Sequence, residues 1–331
     1  MLILNANDVR RALPMRETIE AMKRAYAALS TGQADIPLRT HLSIPARGAT
    51  VLFMPAYVPN AGGDAGAESV LAIKIATLFP KNVPAGLPFI HAAVLVMDAE
   101  NGRTLALLEG GTLTAIRTGA GGGAAADLLA RPDSKTFALF GAGVQARTQL
   151  EAICAVREIE TVWIYAPTSA RIADFITDMQ DKVNATLLPA ATPHQAVADA
   201  DVICTATSSR FPVFEDAYVR PGTHITGVGS YTPDMIEIPP ETIARAQVFI
   251  DSLAASQAEA GEIIRAAELG LFDWLSATEL GEIVLGTQPG RTSPEQITFF
   301  KSVGVAVQDA AAAQLALANA WKMGLGQQVT W

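Results

Sequence analysis

Apolar residues recur three or four positions apart after Pro14: Met15, Ile19, Met22, Tyr26 and Leu29, stopping at Thr31-Gly32. That spacing predicts an amphipathic helix with one buried face. The rhythm then changes to short apolar runs at 50–56 (TVLFMPA), 70–77 (VLAIKIAT) and 91–97 (HAAVLVM), with RTLALLE at 103–109 behind an Asn101-Gly102 turn. Runs of this length around a tight turn predict a mostly antiparallel sheet. From 112 onward helix and strand patterns alternate: a Gly/Ala-rich helix near 112–130, strand 136–140, helix 144–156, strand 161–165, helix 168–182, then strands at 201–207, 223–229 and 247–251. Strands separated by helices predict a parallel, doubly wound sheet, so the expected fold class is α/β with a smaller α+β lobe ahead of it. A last Ala-rich helix over about 303–323 is apolar on most sides, as suits packing between lobes or between subunits. NAGGDAGAES at 60–69 reads as an exposed loop, and no internal repeat is present.

Composition narrows the possibilities. A chain of 331 residues is comfortable for two lobes with sizeable cores. Half the residues are hydrophobic, yet no run nears the roughly 18 uncharged residues that a membrane span needs. The opening MLILNANDVRRAL lacks the basic start and small-residue cleavage site of a signal peptide, so a cytoplasmic location is expected. Net charge is -9 without a Lys/Arg cluster, which disfavours a nucleic-acid partner. Cys154 and Cys204 read as free thiols, and His41, His91, His194 and His224 lack metal-ligand spacing, so no metal is expected.

Candidate chemistry begins with FALFGAGVQARTQL at 137–150. A strand runs into Gly141, Gly143, Val144, Gln145 and Ala146 and then a helix, the G-x-G-x-x-A arrangement of a dinucleotide site. The first glycine permits the tight turn, the second lets a pyrophosphate approach the backbone, and Ala146 allows close helix packing. The acidic residue that usually binds the adenosine ribose is missing after the second strand, where WIYAPTSAR places Ala166 and Pro167. Thr168, Ser169 and Arg171 could receive a 2′-phosphate, which favours NADPH over NADH; alternatively Arg171 is a solvated helix residue. Lys74 stands inside an apolar run, so it either points to water at a sheet edge or sits in a cleft with an anionic partner. Arg117 is a lone charge in a small-residue helix, and Arg39 lies in a Pro-flanked segment; guanidinium groups suit carboxylates. His91, which opens a strand, either faces a cleft or is structural.

Together these segments resemble the ornithine cyclodeaminase/mu-crystallin family, nearly end to end. The resemblance is carried by PLRT (37–40), MPAY (54–57), IKIAT with Lys74, RTGA with Arg117, FGAGVQA, TAT (205–207), GVGSYTPDMIEI, ELGEIVLG (279–286) and PGRTSPEQITFFKSVGVAVQD (289–309). It implies a substrate-binding and dimerisation domain formed by 1–118 plus 303–331 and a Rossmann domain at 119–302. It implies that Arg39, Lys74 and Arg117 surround a substrate carboxylate, Lys74 also moving a proton, with Met54, Thr77, His91 and Tyr231 in the pocket. Arg117, Thr118, Gln145, Thr207 and Ser302 would border the dinucleotide.

Within the family, cyclodeaminases and a related alanine dehydrogenase carry a carboxylate in the loop where this chain has Tyr231, after Gly229-Ser230. The cyclodeaminase pattern also has an acid two positions before the Met-Pro pair, here Leu52. Tyrosine, with a pKa near 10, is a poor base for a substrate amine at neutral pH. A cyclic ketimine brings no free amine and needs only a hydride, a carboxylate clamp and a proton. The expected activity is NADPH- or NADH-dependent reduction of Δ1-pyrroline-2-carboxylate to proline, with the six-membered homologue as a second substrate. The alternatives are an ornithine cyclodeaminase using bound NAD+, an alanine dehydrogenase, and a non-catalytic NADP- and ligand-binding protein. Tyr231 either caps the pocket, donates a hydrogen bond or packs against its loop.

Overall fold

A computed structural model describes residues 1–59 and 69–330; the loop expected at 60–69 falls, except for Ser69, outside the described residues. The chain forms two compact units, Met1–Arg117 with Val305–Trp331, and Thr118–Gly304.

The first unit is built on a mixed sheet of β1 (Leu2–Leu4), β2 (Thr40–Ile44), β3 (Ala49–Val58), β4 (Val70–Leu78), β5 (Ile90–Asp98) and β6 (Thr104–Glu109), in the order β1-β6-β5-β4-β3-β2, with the short strand Gln327–Gln328 outside β1. Only β1 and β6 run parallel; every other pair is antiparallel. Helices α1 (Ala6–Ala12) and α2 (Met15–Ser30) precede the long β-strands, and α3 (Gly110–Leu129) follows them. Along β4 the side chains alternate, with Ala72, Lys74, Ala76 and Leu78 buried on one face while Leu71, Ile73, Ile75 and Thr77 occupy the other. The final helix, Ala306–Met323, covers the Lys74 face, and α1 and α2 pack against that helix. It belongs to the same compact unit as the sheet it covers. Alanines 310, 311, 312, 313, 316 and 320 are buried along it. Their small side chains let it lie close to the sheet; enlarging one would strain that packing by about 1–3 kcal/mol. The helix starts at Ala306 rather than near 303 because Gly304 adopts φ 81°, outside helical geometry.

The second unit holds a wholly parallel sheet of β7 (Thr136–Phe140), β8 (Thr161–Tyr165), β9 (Thr186–Pro189), β10 (Val202–Thr205), β11 (His224–Gly227), β12 (Gln247–Ile250), β13 (Thr278–Glu279) and β14 (Thr298–Lys301). Their order is β13-β12-β14-β11-β10-β7-β8-β9, so the direction of winding reverses between β7 and β10. Helices α4 (Val144–Val156) and α5 (Ser169–Met179) connect the first strands. Phe137, Leu139, Val162, Ile164, Val202 and Cys204 interleave in a core with Leu150, Ile153 and Phe175 from the helices. The glycines of α3 serve contact with α4: a Cβ at Gly119 would lie 2.5 Å from the Thr148 carbonyl oxygen, and one at Gly122 would run into the Gln149 amide. The sequence pattern does not reveal β14, although it lies between β11 and β12 with all four residues buried.

Candidate active site

In the first unit, Lys74 is directly opposite Met54 of β3 and Val94 of β5, so its side chain leaves the sheet on the face that the final helix covers. Its Nζ stands 2.7 Å from Asp309 Oδ2, and both side chains are 2% exposed. The other oxygen, Asp309 Oδ1, is 3.0 Å from Arg117 Nε. Arg117 Nη1 donates to Gln308 Oε1 at 2.7 Å, and Gln308 Nε2 donates to the Tyr26 hydroxyl at 2.7 Å. The Val305 N–H also donates to Gln308 Oε1, at 3.0 Å, so the start of the final helix is fixed by the residue that holds the arginine. Burial draws the Lys74 ammonium down to about 7; Asp309 opposes that, while Arg117 and Arg39 add to it. A lysine titrating there can hold or give a proton near neutral pH. Lys74 and Arg117 carry two positive charges against the single carboxylate of Asp309, so the cluster is complementary to a further anion. Arg39 is half-buried just before β2, and His41 is lowered by burial first and by the Arg39 charge second. Leu52, opposite Ala76 and buried, shares the face of Lys74 and brings no acid to it.

Register corrects two of the expected pocket residues. Thr77 lies an odd number of positions from Lys74 and pairs directly with His91, so both project from the opposite face of the sheet. The Thr77 hydroxyl donates to the His91 carbonyl at 3.2 Å, and neither residue joins the Lys74 cluster.

In the second unit, β7 runs into Gly141, whose φ of 106° and whose would-be Cβ, 2.5 Å from the Ala206 carbonyl oxygen, both demand glycine. Gly143 caps α4 with nothing within 4 Å of where a Cβ would stand, so the backbone is open to an approaching group. Val144 beside it is exposed, and the buried Gln145 Oε1 has no hydrogen-bond partner among the described residues. Unpaired N–H groups at the start of a 13-residue helix, behind an open glycine, fit a dinucleotide pyrophosphate. After β10, the Thr207 N–H and hydroxyl each donate to Glu237 Oε1 at 2.7 Å. Ser302, after β14, donates its hydroxyl to Asp251 Oδ2 at 3.2 Å, and the Thr118 carbonyl accepts from Gln149 at 3.0 Å. Tyr231 is half-buried in the loop after β11. Thr168 caps α5 without a side-chain bond; Ser169 and Arg171 are exposed, and the Arg171 guanidinium has no partner among the described residues.

Other candidates fall outside this arrangement. His224 is buried between the Thr298 and Thr226 hydroxyls, and His194 stacks on Tyr218. A cavity of about 610 Å³ between Arg131, Asp133, Pro221 and Arg291 opens at the amino ends of the strands, whereas doubly wound sheets bind ligands at the carboxyl ends. Cys154 and Cys204 are free thiols. Among the described residues no helix is long and apolar enough to cross a membrane.

Sequence reasoning missed Asp309, Gln308, Glu237, Glu262 and Lys301. The signal that singled out Lys74, a charge inside an apolar run, is present again in the Gln308-Asp309 pair ahead of four alanines and in Lys301 after Phe299-Phe300.

The family described as ornithine cyclodeaminase/mu-crystallin matches residues 1–323. A Δ1-pyrroline-2-carboxylate reductase of Bacillus cereus is 37% identical over 331 residues, 99% of each chain. The solved structure of Thermococcus litoralis Δ1-pyrroline-2-carboxylate reductase in complex with NADH and L-proline superimposes with a TM-score of 0.93 at 38% identity, covering 99% of this chain and 100% of that one. An archaeal alanine dehydrogenase dimer with bound NAD gives a TM-score of 0.89 at 31% identity, over 100% of this chain and 99% of that one.

Proposed function

This chain belongs to the ornithine cyclodeaminase/mu-crystallin family, and from that premise we propose that it reduces a small cyclic ketimine, Δ1-pyrroline-2-carboxylate to L-proline, with NADPH or NADH. The observation that carries the reading is the Lys74–Asp309–Arg117 cluster: a proton donor near neutral pH beside an arginine, whose one carboxylate is already shared by both cations. The bound dinucleotide would supply a hydride to the imine carbon. Arg117 and Arg39 would hold the substrate carboxylate, and Lys74 would give its proton to the ring nitrogen, so that C=N becomes CH–NH with hydride and proton both accounted for. Asp309 keeps Lys74 in place and supports its charged form.

Cyclodeamination is the second reading, and Leu52 weighs against it, since the position where the cyclodeaminase pattern has an acid here presents an apolar side chain on the Lys74 face. The six-membered ketimine remains a second substrate of the same clamp. NADPH is favoured over NADH because residues 166–171 after β8 carry no acid and the Arg171 guanidinium, without a partner among the described residues, can meet a 2′-phosphate. A homodimer goes with this reading: Val51, Phe53, Ile73, Ile75, Leu95 and Met97 make the sheet face away from Lys74 apolar and incompletely covered, as a subunit interface would be. We also place the protein in the cytoplasm.

The direct test is nucleotide absorbance with purified protein and Δ1-pyrroline-2-carboxylate, in parallel with NADPH and NADH, followed by chromatography for proline. Oxidation with proline formed is expected. No oxidation with either nucleotide would sink the substrate assignment, and ammonia released from ornithine with NAD+ would establish the second reading.

A further inference from the structure

In a doubly wound sheet the first half takes the adenosine side of a dinucleotide and the second half takes the nicotinamide side; β10, β11 and β14 belong to that second half. At their carboxyl ends lies a buried charge cluster that no step above uses. Glu237 bridges two of these ends: Oε1 accepts from the Thr207 N–H and hydroxyl at 2.7 Å, and Oε2 accepts from the Gly229 and Ser230 N–H groups at 2.8 and 3.1 Å. Three backbone N–H groups, which can only donate, point at its two oxygens, an arrangement that favours the ionised carboxylate. Burial, joined by the neighbouring Glu262 charge, holds the Glu237 pKa above the usual carboxylate value, while Lys301 and the bonds from Thr207 work against that rise. Lys301 is committed elsewhere: its Nζ is 2.9 Å from Glu262 Oε1 and donates to the Ser230 carbonyl at 2.7 Å, and Ser230 Oγ bonds Glu262 Oε2. Glu237, Glu262 and Lys301, all fully buried, together carry one net negative charge behind the loop at 229–231, and Asp251, buried just after β12, adds no positive charge to offset it. Among the described residues no cation touches Glu237.

We propose that Glu237 is a positioning residue that acts electrostatically, biasing the bound nucleotide toward its oxidised form. The proposal rests on the dinucleotide reading above. A nicotinamide ring is neutral when reduced and cationic when oxidised, so positive charge grows on it as a hydride, one proton with two electrons, leaves for the imine carbon. A fixed, buried anion at that end of the sheet favours the growing charge, because little water screens it. A carboxylate that merely braced the loop would affect both oxidation states alike.

The test is to measure dissociation constants of the oxidised and reduced nucleotides, NADP+ against NADPH and NAD+ against NADH, for the full chain by fluorescence titration. Glu237→Gln is expected to weaken the oxidised form about tenfold relative to the reduced one, raising the potential of the bound couple by about 30 mV. Two further variants leave the Glu237 hydrogen bonds in place and decide the matter even if Glu237→Gln fails to fold. Glu262→Gln frees Lys301 to offset Glu237 and is expected to shift the ratio in the same direction. Lys301→Met leaves both carboxylates uncompensated and is expected to shift it the opposite way. Equal changes in both oxidation states, or shifts of one sign from Glu262→Gln and Lys301→Met, would overturn the proposal. Failure of the unaltered protein to bind any of the four nucleotides would be a different result and would overturn the cofactor reading itself.

Discussion

Lys74 Nζ and Asp309 Oδ2 form a 2.7 Å ion pair between an interior strand of the first sheet and the helix that covers it. Lys74 is lowered to about 7, chiefly by burial, and Asp309 raises it against that. A protonated Lys74 acting as donor is lost as pH rises through its pKa, so kcat/KM for the ketimine should fall above about pH 7. Asp309→Asn removes the raising charge, which should move that falling limb to lower pH and cut activity at pH 7 by about 10²-fold or more. A limb that stays where it was would remove Lys74 from the role of donor.

Arg117 spends Nε on Asp309 and Nη1 on Gln308, which fixes the orientation of its planar head. Arg117→Lys keeps the charge but loses the fork. Steady-state kinetics should show KM for the ketimine raised about tenfold or more, with a smaller change in kcat. A larger effect on kcat than on KM would count against a carboxylate clamp.

The two glycines of the nucleotide turn should respond differently. Gly143→Ala meets open space at an ordinary φ of −88°, so thermal unfolding should be nearly unchanged while nucleotide affinity drops about 100-fold, read by fluorescence titration. Gly141→Ala forces a Cβ against the Ala206 carbonyl at φ 106° and should destabilise the fold by about 3 kcal/mol. Unchanged nucleotide binding in Gly143→Ala would show that the phosphates lie elsewhere.

Arg171→Ala should raise the dissociation constant of NADPH about tenfold and leave that of NADH within about twofold, since only NADPH carries the extra phosphate. Equal binding of NADPH before and after the substitution would make Arg171 a solvated helix residue.

What the sequence disclosed and what it withheld follow from the lengths over which physical signals act. The turn at 141–146 was legible because glycine spacing between a strand and a helix is local. Lys74 and Arg117 stand out as charges among apolar neighbours, but their shared partner does not, because an alanine-rich helix reads as apolar surface even when it carries Asp309. Strand parity separates Thr77 from Lys74, a distinction that family likeness does not carry. β14 and β1 span four and three residues, too few to display a period, and their place in the sheets depends on partners far away in the chain. Glu237, Glu262 and Lys301 meet only in the folded unit, so no spacing announced them.

Ile75 is 38% exposed amid the apolar face opposite Lys74. Ile75→Lys should convert a dimer to a monomer in light scattering, because a charge at the centre of an apolar contact must be desolvated. A dimer that persists would place the subunit contact on another surface.

The first unit is assembled from two stretches of chain separated by the whole of Thr118–Gly304, and this has a consequence during synthesis. Lys74 and Arg117 leave the ribosome long before Asp309, by on the order of ten seconds or more at ordinary elongation rates. Over that interval β3, β4 and β5 lack the helix that covers them, and two like charges stand together without their counter-ion. Nascent chains stalled before residue 306 should therefore engage chaperones through the open face of β3, β4 and β5, and the carboxylate clamp comes into being only when translation has passed Asp309.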